Sequence, residues 1–83
     1  MQVILHPHAE ERLAERGVSA EEVIATVALG ERFPVKFGRV GFRRNFAYEQ
    51  LWRGKRYATK QIEAFAVEER DRWVVITVIA RYF

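Results

Sequence analysis

The sequence predicts a single α+β domain in which a helical hairpin near the N-terminus packs on an antiparallel β-sheet. Its 83 residues suit one domain. Signals for two short helices occupy the first 30 residues. From Val40 onward, apolar and polar residues alternate with the period of a β-strand.

Local signals fix the bounds of both predicted helices. The first helix spans Pro7 to Arg16, since proline suits the first helical turn and Gly17 suits the position after the last. Ser19 and Glu22 form a capping box that begins the second helix, and Gly30 ends it. About two residues join the helices, which predicts a tight hairpin.

The strands are predicted from apolar runs and from the turn residues between them. Val40 to Tyr48 alternates, and Trp73 to Ala80 is apolar on both faces, which is typical of a central strand. The remaining predictions are an edge strand at residues 3–5, a loop from Glu31 to Gly38 that contains Pro34, a turn at Arg53-Gly54, one long strand or two strands broken by a bulge from Arg56 to Val67, and a charged turn from Glu68 to Arg72.

Composition limits the cellular setting that we expect. The chain has no cysteine, which excludes disulfides and thiolate metal sites and gives no sign of an oxidising compartment. Its opening residues do not have the pattern of a signal peptide. No apolar stretch approaches the roughly 20 residues that a membrane-spanning helix requires. We therefore expect a cytoplasmic protein that does not cross a membrane.

Charge is distributed unevenly along the chain. Residues 1–30 contain two arginines against five glutamates, whereas residues 31–60 contain nine basic residues against two glutamates. Such a polarised field favours a polyanion or an acidic protein as the partner. The alternative is an ordinary solvated surface.

Two histidines stand where the first strand meets the first helix. His6 and His8 flank Pro7, and His8, Arg12 and Arg16 follow one another at helical spacing on one face. Histidine exchanges protons near neutral pH, which suggests a general base. A metal site is the weaker reading, because two imidazoles leave at least one ligand unnamed. In the structural alternative, His6 caps the helix and His8 lies on its surface.

A second basic set alternates with aromatic residues in the predicted sheet: Arg43, Arg44, Arg53, Lys55, Arg56 and Lys60. Arginine and lysine attract phosphates, and aromatic rings stack on unpaired bases. The alternative is that the aromatic residues belong to the core and the charged residues to the solvent-exposed face of the sheet. Lys60 lies inside a predicted strand, so it either points to water or is held at a functional groove.

No nucleophile elbow, glycine-rich phosphate loop, paired carboxylates or Cys/His site is present in the sequence. An enzyme built from basic residues suits phosphodiester transfer within RNA. There the 2′-hydroxyl is the internal nucleophile, and the protein supplies a base, an acid and cations.

Residues 6–19, followed by Glu22-Val23 and Gly30, resemble the opening of a widespread bacterial family known as domain of unknown function 4258. The segments at 41–46, 57–61 and 75–78 resemble it as well. That family is similar to the RelE/ParE-type toxin fold, a helical hairpin on an antiparallel sheet. The group includes ribonucleases that work without a metal.

The resemblance implies roles for particular residues. His8 or His6 would be the acid or base, Arg12 and Arg16 would line the groove, and Lys60 with Arg44 would neutralise the phosphate. Tyr82 would be a further functional residue near the C-terminus. The implied partners are RNA, a ribosome or an antitoxin, without cofactor or metal. A non-catalytic module that binds nucleic acid or an antitoxin is the alternative. The third hypothesis is a structural or orphan domain, such as a homodimer formed through an edge strand.

Overall fold

Two helices cover one face of a five-stranded sheet in the computed structural model, which describes residues 1–83. The strands lie in the order β1-β5-β4-β3-β2. The elements are, in chain order, β1 (Gln2–Leu5), α1 (Pro7–Arg16), α2 (Ala20–Leu29), β2 (Glu31–Pro34), β3 (Val40–Trp52), β4 (Lys55–Glu69) and β5 (Arg72–Tyr82). The α+β class is confirmed.

The sheet is mixed, so the prediction of an antiparallel sheet was wrong at one edge. Strand β1 pairs with β5 in parallel, with Gln2 opposite Arg72 and Leu5 opposite Val75. All other neighbouring strands are antiparallel. Two helices and three strands separate β1 from β5, and no short connection forces these two strands to run in opposite directions.

The caps of both helices lie where the sequence predicted them. Gly17 follows α1 in the left-handed conformation, with φ of 69°, and Ser19 and Glu22 form the capping box of α2. The predicted N-terminal hairpin is not confirmed as a unit: β1 precedes the helices, α1 packs chiefly on β5, and α2 packs on β4 and β3. Neither helix has the length and apolar character needed to cross a membrane.

The predicted loop over residues 31–38 was wrong in its first half. Glu31–Pro34 forms β2, which pairs with β3 at the edge of the sheet. Pro34 ends this edge strand, where a missing N–H is tolerated. Strand β4 is also longer at both ends than predicted, so the charged turn shrinks to Arg70 and Asp71, both with positive φ.

The core lies between the helices and the sheet. Strand β5 has β4 beside it throughout but β1 only as far as Val75, so the central position predicted for Trp73 to Ala80 is confirmed only over residues 73–75. Phe42 and Trp73 meet edge to face with ring centroids 5.1 Å apart. The buried apolar residues are Ala9, Leu13, Val18, Val23, Val27, Phe42, Ile62, Ala64, Ala66, Trp73, Val75 and Val78.

A bulge interrupts β5 at the point where β1 ends. Val75 lies opposite Ala66 and Thr77 lies opposite Phe65, so Ile76 is an extra residue in β5. Because β1 stops beside Val75, β5 continues from Ile76 to Tyr82 with a strand on one side only. The bulge and the open edge position the site described next.

Candidate functional site

A groove runs between α1 and the open edge of β5. One stripe of α1 supplies His8, Arg12 and Arg16, in agreement with their helical spacing. Residues 76–78 of β5 form the opposite wall, and the cavity between them measures about 200 Å³. The bulge at Ile76 lies in this wall, and bulges are common beside functional sites.

The two histidines have different roles in the structure. His6 is the N-cap of α1: its Nδ1 accepts a hydrogen bond from the backbone N–H of His8 at 3.1 Å, as the structural alternative held. The backbone N–H of His6 donates to the carbonyl of Val75 at 2.9 Å and anchors the start of α1 at the end of β1. The exposed His8 imidazole forms no hydrogen bond within the chain, so it is available to a ligand.

Lys60 does not line this groove, although the resemblance gives it the role of neutralising the phosphate. Its side chain is 8% exposed and its Nζ donates to the Glu22 carboxylate at 2.9 Å and to the Gly17 carbonyl at 2.8 Å. The Tyr48 ring lies 5.2 Å from the same nitrogen. Lys60 therefore ties the end of α1 to the start of α2.

Tyr82 is likewise held by the end of α1. Its hydroxyl donates to the Arg16 carbonyl at 2.6 Å, and its ring stacks on Trp52 with centroids 4.8 Å apart. Burial, reinforced by the charges of Tyr48 and Glu22, raises the pKa of Tyr82 to about 12. The phenol therefore stays protonated at neutral pH and acts as a hydrogen-bond donor.

A smaller cavity of about 140 Å³ continues the groove at the C-terminal end of α1. Arg16 lines both cavities and joins them. Arg53, at the tip of the β3–β4 hairpin, donates to the Glu15 carbonyl at 2.9 Å, with its guanidinium 5.1 Å from the centre of the Trp52 ring. Arg53 thus adds a third guanidinium to the two that α1 supplies, those of Arg12 and Arg16.

The other predicted nucleic-acid-binding residues do not form one surface. Arg43 and Arg44 are neighbours in β3, so their side chains leave opposite faces of the sheet. Arg44 lies 5.0 Å from the Phe46 ring, and Lys55 lies 5.5 Å from the Tyr57 ring. Arg56 pairs with Glu49 at 3.5 Å. Of these predicted nucleic-acid-binding residues, only Arg16 and Arg53 line the cavities beside α1.

Arg43 belongs to a separate ion cluster on the face of the sheet that the helices leave uncovered. The buried Glu63 carboxylate accepts hydrogen bonds from Arg43, at 2.7 Å, and from Arg81. Burial alone would raise the pKa of Glu63, but the hydrogen bonds from Arg81 and Arg43 outweigh it and lower the pKa below its ordinary value of 4.5. This face therefore presents cations that are already neutralised.

Replacing Glu63 by glutamine is expected to lower the free energy of unfolding by about 2 kcal/mol at neutral pH, since two hydrogen bonds to a charged acceptor are weakened. A lowered pKa in the folded state adds stability that is present above the ordinary carboxyl range and is lost as the pH falls from that range through the lower pKa of folded Glu63. Urea unfolding from pH 7 to pH 3 should show a smaller loss in Glu63→Gln than in the parent. Parallel pH profiles would contradict this account.

The structure contains no group of three or more His, Cys, Asp or Glu side chains placed to hold a metal ion. Sequence reasoning missed the bulge at Ile76 because nearly every residue from Trp73 to Ala80 is apolar. In such a run, the switch of side chains from one face of the strand to the other does not change the pattern of polar and apolar residues. It also missed Glu22 as the partner of Lys60, since the capping box already accounted for that glutamate.

A comparison with family models identifies the family of the chain. Residues 5–80 match the family described as domain of unknown function 4258. The chain belongs to this family. The matched range of the 4258 domain includes α1, the walls of the groove, Lys60 and its partner Glu22, while Tyr82 lies beyond it. No curated protein and no solved structure matches the chain.

Proposed function

We propose that this domain binds RNA along the groove beside α1 and cleaves it by transfer of the phosphodiester to the 2′-hydroxyl. One observation carries the proposal: an imidazole without a partner and two guanidinium groups share one stripe of α1 and line one cavity. This arrangement supplies a proton acceptor together with the positive charge that a phosphate in transfer requires.

On this proposal, His8 takes the proton of the 2′-hydroxyl while the oxygen attacks phosphorus. The 5′-oxygen of the next nucleotide leaves and takes up a proton from solvent, which gives a 2′,3′-cyclic phosphate and a 5′-hydroxyl. Arg12 and Arg16 neutralise the oxygens of the crowded phosphate. Lys60 and Tyr82 take no part in the reaction, because each is bound to the backbone or to a side chain of the helices.

The proposal extends to the setting of the protein. The resemblance to RelE/ParE-type toxins supports a toxin-like arrangement and a cytoplasmic role, with free RNA or RNA on a ribosome as the substrate. Nothing in the proposed reaction requires a metal, because the nucleophile belongs to the substrate and the cations are arginines. Cleavage in the presence of EDTA is therefore expected to match cleavage without it.

A non-catalytic binding module is the second candidate. The engagement of Lys60 and Tyr82 favours it, since His8 is then the only unbound acid–base group at the groove. Such a module would hold nucleic acid, or an acidic partner such as an antitoxin, through His8, Arg12 and Arg16. It would bind with a strong dependence on salt and without turnover.

The test is cleavage of a 5′-labelled single-stranded RNA by purified protein. His8→Gln should lower the rate by about 100-fold or more, which is the usual contribution of a positioned base. Arg12→Ala and Arg16→Ala should each lower it as well. The matched control is Arg39→Ala, which removes one exposed cation from the loop between β2 and β3 and should leave the rate unchanged.

Each outcome decides between the candidates. A product with a 2′,3′-cyclic phosphate that depends on His8 supports the ribonuclease. Equal rates in the parent and in His8→Gln would refute the role of His8. Salt-sensitive binding of RNA without any product, weakened by Arg12→Ala but not by Arg39→Ala, would assign the groove to the binding module.

A further inference from the structure

The smaller cavity at the end of α1 contains a carboxylate, which the groove beside His8 lacks. Its walls come from α1, from the β3–β4 hairpin and from β5: Glu15, Arg16, Trp52, Arg53, Ala80 and Tyr82. Aromatic and apolar side chains are thus combined with one anion and two cations around a space of about 140 Å³. This composition suits a flat polar ring better than a phosphate, which a carboxylate repels.

Glu15 offers an unoccupied carboxylate to this cavity. Its Oε1 lies 3.8 Å from Nη1 of Arg12 and 4.0 Å from Nη1 of Arg16, and both distances are too long for a hydrogen bond. The side chain is 58% exposed, so it can turn toward a ligand without breaking a buried contact. Both carboxylate oxygens are therefore free to accept hydrogen bonds from a ligand.

Arg53 is the cation placed beside that carboxylate. Its Nη2 donates to the backbone carbonyl of Glu15, and its guanidinium lies against the face of the Trp52 ring. These contacts turn the side chain back toward α1, although it starts from a hairpin turn with φ of 51°, which asparagine and glycine adopt more easily. An arginine has five N–H groups, so most of those of Arg53 remain free to donate to a ligand.

Guanine matches this pair of groups better than the other three RNA bases do. Its N1–H and N2–H groups are adjacent donors that one carboxylate accepts together, and its O6 and N7 atoms are acceptors for an arginine. In adenine and cytosine, the amino group adjoins a ring nitrogen whose lone pair repels a carboxylate. Uracil has a single N–H between two carbonyls. The combination of Glu15 and Arg53 therefore favours guanine on chemical grounds.

We propose that the cavity at the end of α1 binds an unpaired guanine of an RNA whose phosphate lies against Arg12 and Arg16. Glu15 accepts hydrogen bonds from N1–H and N2–H, Arg53 donates to O6 or N7, and the aromatic side chains supply apolar walls. Glu15 follows Arg12 by three positions, nearly one turn of helix, so a base next to the bound phosphate can reach it. This inference rests on the proposed binding of RNA in the groove, but not on its cleavage.

Binding of RNA that cannot be cleaved tests the guanine site separately from the reaction. Five-nucleotide 2′-O-methyl oligomers lack the attacking hydroxyl. Four of them carry G, A, C or U between flanking uridines, and a fifth carries inosine, which lacks the N2 amino group. Fluorescence polarisation with labelled oligomers gives each Kd for the full chain. We expect the guanine oligomer to bind about tenfold or more tightly than the A, C and U oligomers, with inosine between them.

Two variants identify the groups that recognise the base. Glu15→Gln should reduce the preference for guanine to less than about threefold, because the amide has one acceptor oxygen in place of two. It should not weaken binding of the all-uridine oligomer. Arg53→Met should also reduce the preference. The matched control is Glu11→Gln, which removes an exposed carboxylate of α1 that lines neither cavity and should leave the preference unchanged.

Three results would overturn the guanine site: equal affinity for all four bases, a guanine preference that Glu15→Gln leaves intact, and absence of binding by every oligomer. The ribonuclease is judged separately, by the cleavage assay described above. Cleavage that depends on His8 but shows no base preference would refute the guanine site and support the ribonuclease. Guanine-selective binding that Glu15→Gln abolishes, without cleavage of unmodified RNA, would support the site and refute the ribonuclease.

Discussion

Replacing Lys60 by methionine is expected to lower the free energy of unfolding by about 3 kcal/mol, a large fraction of the stability of so small a domain. The substitution keeps most of the buried volume but removes the ammonium group. The Glu22 carboxylate, whose side chain is only 25% exposed, then loses its counter-ion, and the Gly17 carbonyl loses its donor. Urea unfolding followed by circular dichroism measures the change.

The control is Lys55→Met, at an exposed position on the tip of the β3–β4 hairpin, which should change the free energy of unfolding by less than about 0.5 kcal/mol. A similarly small effect at Lys60 would contradict the conclusion that Lys60 ties the end of α1 to the start of α2. The prediction also bears on function: if Lys60→Met loses RNA cleavage, the loss should disappear when the assay is run at a temperature where the variant is fully folded.

Replacing Gly17 by alanine should also destabilise the domain strongly. We expect the free energy of unfolding to fall by about 3 kcal/mol, for the two reasons that follow. The left-handed φ of 69° strains any residue with a Cβ, at a cost of about 1 kcal/mol. The added Cβ would also overlap the Trp52 ring and approach the Tyr82 hydroxyl to 2.6 Å. Relief of that overlap costs about 2 kcal/mol more.

Gly38→Ala separates the two contributions. Gly38 has the same φ of 69°, but a Cβ there meets nothing within 4 Å. Thermal and urea unfolding should therefore give a loss of about 1 kcal/mol for Gly38→Ala. If the two alanine variants were equally destabilised, packing of Trp52 and Tyr82 on Gly17 would contribute nothing.

The features that could be predicted from the sequence are those fixed by neighbouring residues. Pro7 removes an N–H that would have no partner in the first turn of α1, while Gly17 and the Ser19–Glu22 pair satisfy backbone groups at the helix ends. The helix bounds and the α1 stripe therefore follow from local chemistry. The apolar run of β5 also identifies a strand that has neighbours on both sides as far as Val75. For the same reason His8, Arg12 and Arg16 could be placed on one side of a groove.

The features that could not be predicted depend on residues far apart in the chain. The parallel direction of β1 and the pairing of β2 depend on which strand each one meets, and a four-residue segment has too little pattern to specify that. Lys60 looked like a candidate reactive group because its partner, the half-buried Glu22, is 38 positions away. Its role became evident only when the end of α1 was located above β4.

The parallel pairing of β1 with β5 also has a consequence for how the chain folds. Gln2 and Arg72 are opposite each other although 70 positions separate them. While the protein is being synthesised, the α1 caps and the β3–β4 hairpin can form early, whereas residues 2–5 have no partner until β5 has emerged. We therefore expect the docking of β1 to be among the slowest steps of folding, since closure of so long a loop is costly.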